Sequence, residues 1–243
     1  MAWHGEPLAG FDLETTGTDP LEARIVTASI VEVDGAGHVV RRRDWLADPG
    51  VHIPEQAAAI HGISTERATA EGRPVHEVAD EIADTLAAHW QDGVPVVAYN
   101  ASFDLTLLSA ELRRHGLPSL SERLGGVPVG PVVDPYTIDR AVDRYRRGKR
   151  TLAAVCGEYG VVLEAAHEAA ADALAAVRVA VAIAERHGRV AALDPAELHE
   201  RQIGWYRAWA ENFQDFLRGK GDTDAVVDPT WPLRTPLALA VGQ

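Results

Sequence analysis

The feature that most constrains this chain is an apolar run that ends in two acids. Residues 7–13, PLAGFDL, have the composition of a buried strand, and the run empties into Asp12-Leu13-Glu14 followed by Thr15-Thr16-Gly17. Side chains two apart on a strand point to the same face, so Asp12 and Glu14 leave the strand together. Paired carboxylates at the exit of a buried strand lose hydration and repel one another. Either the strand end is solvated, or a cation lies between the acids, and hard divalent cations take oxygen ligands of this kind. The pair alone leaves both readings open. Thr15, Thr16 and Gly17 read as a turn whose backbone can approach another group closely.

The rest of the chain supplies the frame. Residues 24–32 alternate and are β-branched, and Asp34-Gly35 with Gly37 gives turn chemistry for a third strand over residues 38–45. Residues 51–73 read as loop and short helix. Val75, Val78, Ile82 and Leu86 fall at helical spacing within residues 74–90. A βα pattern follows: strand 94–99, helix 102–115 ending at Gly116, strand 131–134, then Asp134-Pro135 as a helix start. Residues 151–159 and 167–187 read as two further helices. A three-strand meander followed by βα units predicts an α/β layered domain with a mixed sheet.

The texture changes near residue 190. Asp194-Pro195 opens a helix on which Leu198, Gln202, Trp205, Trp209, Phe213 and Phe216 form a stripe, and from Gly219 the chain reads as an extended tail containing Pro229, Pro232 and Pro236. The expected division is therefore residues 1–190 as the α/β domain and residues 191–243 as a C-terminal helix and tail. The stripe reads as packed on the domain, with a protein-binding face as the alternative.

The single cysteine, Cys156, excludes an internal disulfide and a thiolate metal cluster. No apolar run is long enough for a membrane span, and no secretory signal is legible, so the expected compartment is the cytoplasm. The net charge of −13 argues against a broad nucleic-acid-coating surface. It allows a grip on a few nucleotides at one end. Residues 140–150, RAVDRYRRGKR, carry six basic side chains and one acidic. They read as a solvated helix end or as a phosphate-contacting patch.

Two further acids sit where the topology can use them. In Tyr99-Asn100-Ala101-Ser102-Phe103-Asp104 an apolar strand empties into a loop and Asp104 falls in the first turn of a helix. An acid there complements the helix dipole, but the carboxyl end of a strand in an open α/β sheet is also a ligand site. In His167-Glu168-Ala169-Ala170-Ala171-Asp172 the histidine and the acid would not share a face if both were helical. Asp172 can face inward if His167 sits before the helix or at its first turn, free to swing over the site.

Taken in order, FDLETTG, HGI at 61–63, NASFD at 100–104 and H-x₄-D at 167–172 resemble the motifs of the DEDDh 3′→5′ exonuclease family, which includes the proofreading (epsilon) subunit of DNA polymerase III. The resemblance covers residues 7–187. It implies a ribonuclease H-like fold and a metal-dependent 3′→5′ exonuclease that releases nucleoside 5′-monophosphates. It also implies that Asp12, Glu14, Asp104 and Asp172 hold two divalent cations, Mg²⁺ or Mn²⁺, in a two-metal arrangement, and that His167 is the general base. By the same resemblance, Thr15, Thr16, His61, Asn100 and Phe103 face the substrate, with a place in the core as the alternative for Phe103. The expected partner is a single-stranded or frayed 3′ end of DNA, in proofreading or repair. RNA trimming and a non-catalytic binding module are the alternatives. A polymerase or other protein would be met through residues 191–243.

Overall fold

The computed structural model describes residues 2–164 and 166–234. The three-strand meander is present as β1 (Leu8–Thr15), β2 (Ile25–Val33) and β3 (Val39–Asp48). All pairing within it is antiparallel. Asp34 closes the β2–β3 turn, its Oδ1 accepting the amides of Ala36 and His38 at 2.9 Å each.

Residues 51–73 are loop and short helix, as their sequence suggests. They hold α1 (Glu55–His61), α2 (Thr65–Glu71) and a two-residue β4 (Arg73–Pro74). Both helices span seven residues, too short for apolar periodicity to register. Next come α3 (Val75–Gln91), β5 (Val96–Val97), α4 (Ala101–Arg114), α5 (Leu120–Arg123) and β6 (Val132–Val133). They are followed by α6 (Pro135–Val142), α7 (Leu152–Tyr159), α8 (Ala169–Arg186), α9 (Gly188–Ala191) and α10 (Pro195–Gly219). The strands over 94–99 and 131–134 shrink to two residues each. Those runs are apolar because they are buried between layers, not because every residue is paired.

The six strands form one sheet in the order β4-β3-β2-β1-β5-β6, with β5 parallel to both β1 and β6. Alternation along β1 sorts the core. Ala9, Phe11 and Leu13 pack with α3 and α4, whereas Leu8 packs with α7 and α8. Asp12 and Glu14 share the parity of Leu8 and Gly10, so they emerge on the α8 side.

β6 is an edge strand, and α10 closes it. The Val132 amide donates to His199 Nδ1 at 3.1 Å, the Asp134 amide to Gln202 Oε1 at 2.7 Å, and Gln202 Nε2 donates to the Val132 carbonyl at 2.8 Å. Two side chains thus replace the missing neighbouring strand. Beyond Gly219, residues 222–234 run back along the domain and bury Trp231, which donates to Asp134 Oδ2 at 3.3 Å. The end of the expected tail, residues 235–243 with Pro236, lies outside the described residues.

Candidate active site and metal centre

Four carboxylates arrive from three elements at one end of the sheet. Gly10 allows the closest approach. A Cβ there would lie 2.5 Å from the Ala173 carbonyl oxygen, so α8 rests directly on β1. Asp172, the residue before Ala173, is thereby carried to the strand end that holds Asp12 and Glu14. Asp104 comes from the other layer. It is 4% exposed in the first turn of α4, and its Oδ1 accepts the Leu13 amide at 3.1 Å. That bond ties α4 to β1 between the two β1 acids.

His167 precedes α8 with φ +67°. This left-handed backbone turns the residue back over the helix start, and its amide donates to Asp172 Oδ2 at 3.2 Å. Donor atoms of Glu14, His167 and Asp172 lie within 4.8 Å of one another. The adjoining Glu168 is held by Arg42 on β3 at 3.2 Å, and Arg42 also grips Asp44 at 2.6 Å.

The electrostatics follow from burial and crowding. Burial, then Asp104, Asp172 and Glu14, holds the Asp12 carboxyl well above the usual carboxylate range. Glu14 is pushed up to about 7 by burial and then by Asp172. Burial raises Asp104 too, against the pull of the Leu13 amide and its own. Asp172 is raised by burial and eased by the amide and charge of His167. Without positive charge among them, these acids favour their protonated forms. Asp172 Oδ1 is buried with no hydrogen-bond partner.

The residues expected to face substrate surround this cluster unevenly. Thr15 Oγ1 donates to the Gly17 carbonyl at 2.8 Å, and Thr16 Oγ1 accepts the Arg24 amide at 2.9 Å. Both hydroxyls therefore help to build the turn after β1. His61 closes α1 and shares a cavity of about 710 Å³ with His167. Its Nδ1 accepts the Ile63 amide at 3.2 Å, and burial lowers its pKa, partly countered by a hydrogen bond with the Thr15 backbone. Asn100 caps α4 in the left-handed region, φ +63°, and its amide donates to Asp134 Oδ1 at 2.9 Å. Phe103 packs partly buried against the α3–α4 core.

Three supports were not legible as site residues. Gly10 looked like any strand glycine. Arg42 lies 126 residues from Glu168 in sequence, beyond any local pattern. Asp134 showed only its helix-capping role, yet it is buried and also holds the Asn100 loop.

The meander, the parallel β5 and β6 and the flanking helices make this a ribonuclease H-like fold. The RNase_T family model, described as an exonuclease, matches residues 9–180. The chain belongs to this exonuclease family. A PolC-type DNA polymerase III from Streptococcus thermophilus is 28% identical over 183 residues, 73% of this chain and 11% of that polypeptide. The chain thus spans about a tenth of that relative's length. Escherichia coli exonuclease I in complex with a dT13 oligonucleotide superposes with a TM-score of 0.62 at 19% identity, over 76% of this chain and 42% of that one. Exonuclease X in complex with 5′ overhanging duplex DNA gives a TM-score of 0.54 at 22% identity, over 80% of this chain and 99% of that one. Among the described residues no helix is long and apolar enough to cross a membrane.

Proposed function

We propose that this chain is a divalent-metal-dependent 3′→5′ exonuclease that removes nucleoside 5′-monophosphates from single-stranded or frayed DNA ends, in proofreading or repair. The observation that carries the reading is the convergence of Asp12, Glu14, Asp104 and Asp172, all raised in pKa by burial and the first three also by neighbouring acids, with Asp172 Oδ1 buried and unpartnered. An all-oxygen donor set of this charge fits hard divalent cations. The four acids would hold two ions, Mg²⁺ or Mn²⁺. When bound, such ions supply Lewis-acid activation of water and charge stabilisation at the leaving oxygen.

The protein's own groups do the remaining work. His167, next to Glu14 and Asp172, accepts the proton of the attacking water at its imidazole and returns it to solvent from its exposed loop. The Arg42–Glu168 tether keeps that loop over the cluster. His61, at the end of α1 beside the Thr15 backbone, and the Thr15–Thr16 turn hold the terminal nucleotide. Asn100 and Phe103 border its base. The names of the relatives, a PolC-type DNA polymerase III and two DNA-bound exonucleases, favour DNA over RNA.

The test uses 5′-labelled single-stranded DNA and RNA of matched sequence in Mn²⁺. Stepwise shortening of the DNA with mononucleotide release, blocked by EDTA, is expected. Asp12→Ala should abolish cleavage. His167→Ala should slow it by about 10²–10⁴-fold with metal affinity retained. Full activity of Asp12→Ala would overturn the site, faster RNA shortening would reassign the substrate, and immediate release of the 5′ label as a mononucleotide without a ladder would reverse the polarity.

A further inference from the structure

The chain carries one strongly basic groove outside the acid cluster. It has a volume of about 680 Å³ between α6, the 143–151 loop and α10, and Tyr136, Arg140, Arg144, Lys149, Trp205 and Trp209 line it. Its centre is Arg140. That guanidinium lies 4.1 Å from the Tyr136 ring centroid and 4.0 Å from that of Trp209. Its Nη1 is buried with no hydrogen-bond partner.

The charge in the groove is not spent inside the protein. Asp139 neutralises two neighbouring cations, pairing with Arg146 at 2.7 Å and with Arg150. Among the described residues no carboxylate is within ion-pair distance of Arg140, Arg144 or Lys149. Arg144 donates to the Asn212 side-chain oxygen at 3.4 Å and lies 5.8 Å from the Tyr145 ring centroid, neither of which neutralises it. A half-buried, aromatic-flanked guanidinium with two free cations beside it, in a chain of net charge −13, is an anion site with π-faces around it. Single-stranded nucleic acid has that chemistry: phosphates for the cations and bases for the rings.

The groove is linked to the cluster through hydrogen-bonded neighbours. Asp104 sits one turn into α4 from Asn100, the Asn100 amide is bound to Asp134, and Asp134 caps the helix that presents Tyr136 and Arg140. The Tyr99 and Tyr136 rings, 5.4 Å apart, join the two loops. All of these stand at the carboxyl ends of β1, β5 and β6. We infer that the α6–α10 groove binds the single strand a few nucleotides upstream of the end being cut, with phosphates on Arg140, Arg144 and Lys149 and bases against Trp205 and Trp209. The inference rests on the proposed function for the position of the end. It adds a second grip that short substrates cannot reach.

The experiment compares the full chain with Arg144→Ala/Lys149→Ala, both at exposed positions, and with Arg140→Gln. Fluorescein-labelled dT4 and dT16 are titrated in EDTA, and kcat/KM is measured for both lengths in Mn²⁺. The wild type should bind dT16 more tightly than dT4. The double variant should lose about tenfold in dT16 affinity, and its log–log salt slope should shrink by about 1.4, the release expected for two single-strand phosphate contacts. The ratio of kcat/KM for dT16 over dT4 should fall in step. Equal wild-type affinity for the two lengths, or a double variant that binds dT16 as the wild type does, overturns the inference. If dT16 binds through the groove but no mononucleotide is released, the proposed function fails and the groove assignment stands. If Arg140→Gln does not fold, the exposed pair still decides.

Discussion

Gly10→Ala tests how the acid cluster is assembled. A Cβ at Gly10 would meet the Ala173 carbonyl oxygen at 2.5 Å and Val177 Cγ2 at 2.9 Å. Ordinary contact begins at 3.4 Å, so the oxygen must retreat by roughly 0.9 Å. It is backbone, and Val177 is a β-branched residue with one favoured helical rotamer, so neither contact yields by side-chain motion. The relief available is a shift of α8 away from β1. Overpacking of this kind costs about 1–3 kcal/mol, against about 0.5–1 kcal/mol gained by replacing a strand glycine. A net loss of about 1–2 kcal/mol is expected in urea unfolding.

The functional cost should be larger than the stability cost. Asp172 adjoins Ala173 and moves with it, whereas metal ligation tolerates only about 0.2 Å. Misplacement by about 1 Å typically lowers a rate by about 10²-fold. Weaker Mn²⁺ binding and a kcat/KM on dT16 lower by about that factor should accompany the modest destabilisation. Activity within twofold of wild type at matched Mn²⁺, with the stability loss present, would refute the idea that this contact places Asp172.

Three further outcomes are expected. Glu14 is raised from 4.5 to about 7 in the fold, so the native state holds more protons than the unfolded chain between those values. The stability this contributes is complete below pH 4.5 and lost as pH rises through 7, about 1–2 kcal/mol after discounting for its partial exposure. The metal-free melting temperature should fall from pH 5 to 8 and saturating Mn²⁺ should flatten the profile; a metal-free curve that rises over that range contradicts the reading. Gln202→Leu leaves the Asp134 amide and the Val132 carbonyl unpaired at the sheet edge, which should cost about 2–4 kcal/mol, and a loss below about 1 kcal/mol in urea unfolding would show that the edge is closed by other means. Arg42→Ala removes exposed ion pairs worth about 1 kcal/mol or less, so its melting temperature should barely change while kcat falls several-fold with Mn²⁺ affinity intact; an unchanged kcat would make the Glu168 tether idle.

What the sequence displayed and what it hid follow from how far each interaction reaches along the chain. β-Branched alternation marks residues 24–32 as a strand because the signal is local, and the same holds for Asp34-Gly35 as the turn that closes the meander. Asp12 and Glu14 were readable because strand parity alone puts them on one face. Parity could not say which helix they meet, because that is decided by the missing Cβ of Gly10. His167 and Asp172 conflict as helical residues, and the left-handed backbone at His167 resolves the conflict. The short helices α1 and α2 were legible only as a stretch of loop and short helix, because seven residues are too few to fix a helical period or its bounds. Thr15 and Thr16 stood out as a turn beside the acids, but the bonds that occupy their hydroxyls run to Gly17 and to Arg24 across a hairpin.

The C-terminal helix shows how one periodicity can carry two tasks that a hydrophobic stripe cannot separate. His199, Gln202 and Tyr206 are buried toward the sheet edge, whereas Trp205 and Trp209 stand part-buried on the groove side, and Phe213 and Phe216 continue outward at 39% and 55% exposure. Gln202 sat in the aromatic stripe by spacing alone, yet its side chain serves the backbone of β6. The same helix therefore closes the sheet and supplies the aromatic wall that flanks Arg140. Removing residues 191–243 would strip hydrogen bonds from β6 together with the groove. The loss would reach Asp134, and through it the Asn100 loop and α4, the element that holds Asp104. A partner-binding test by truncation would thus confound a lost surface with a loosened site. Substitutions on the outer face, at Phe213 and Phe216, separate the two.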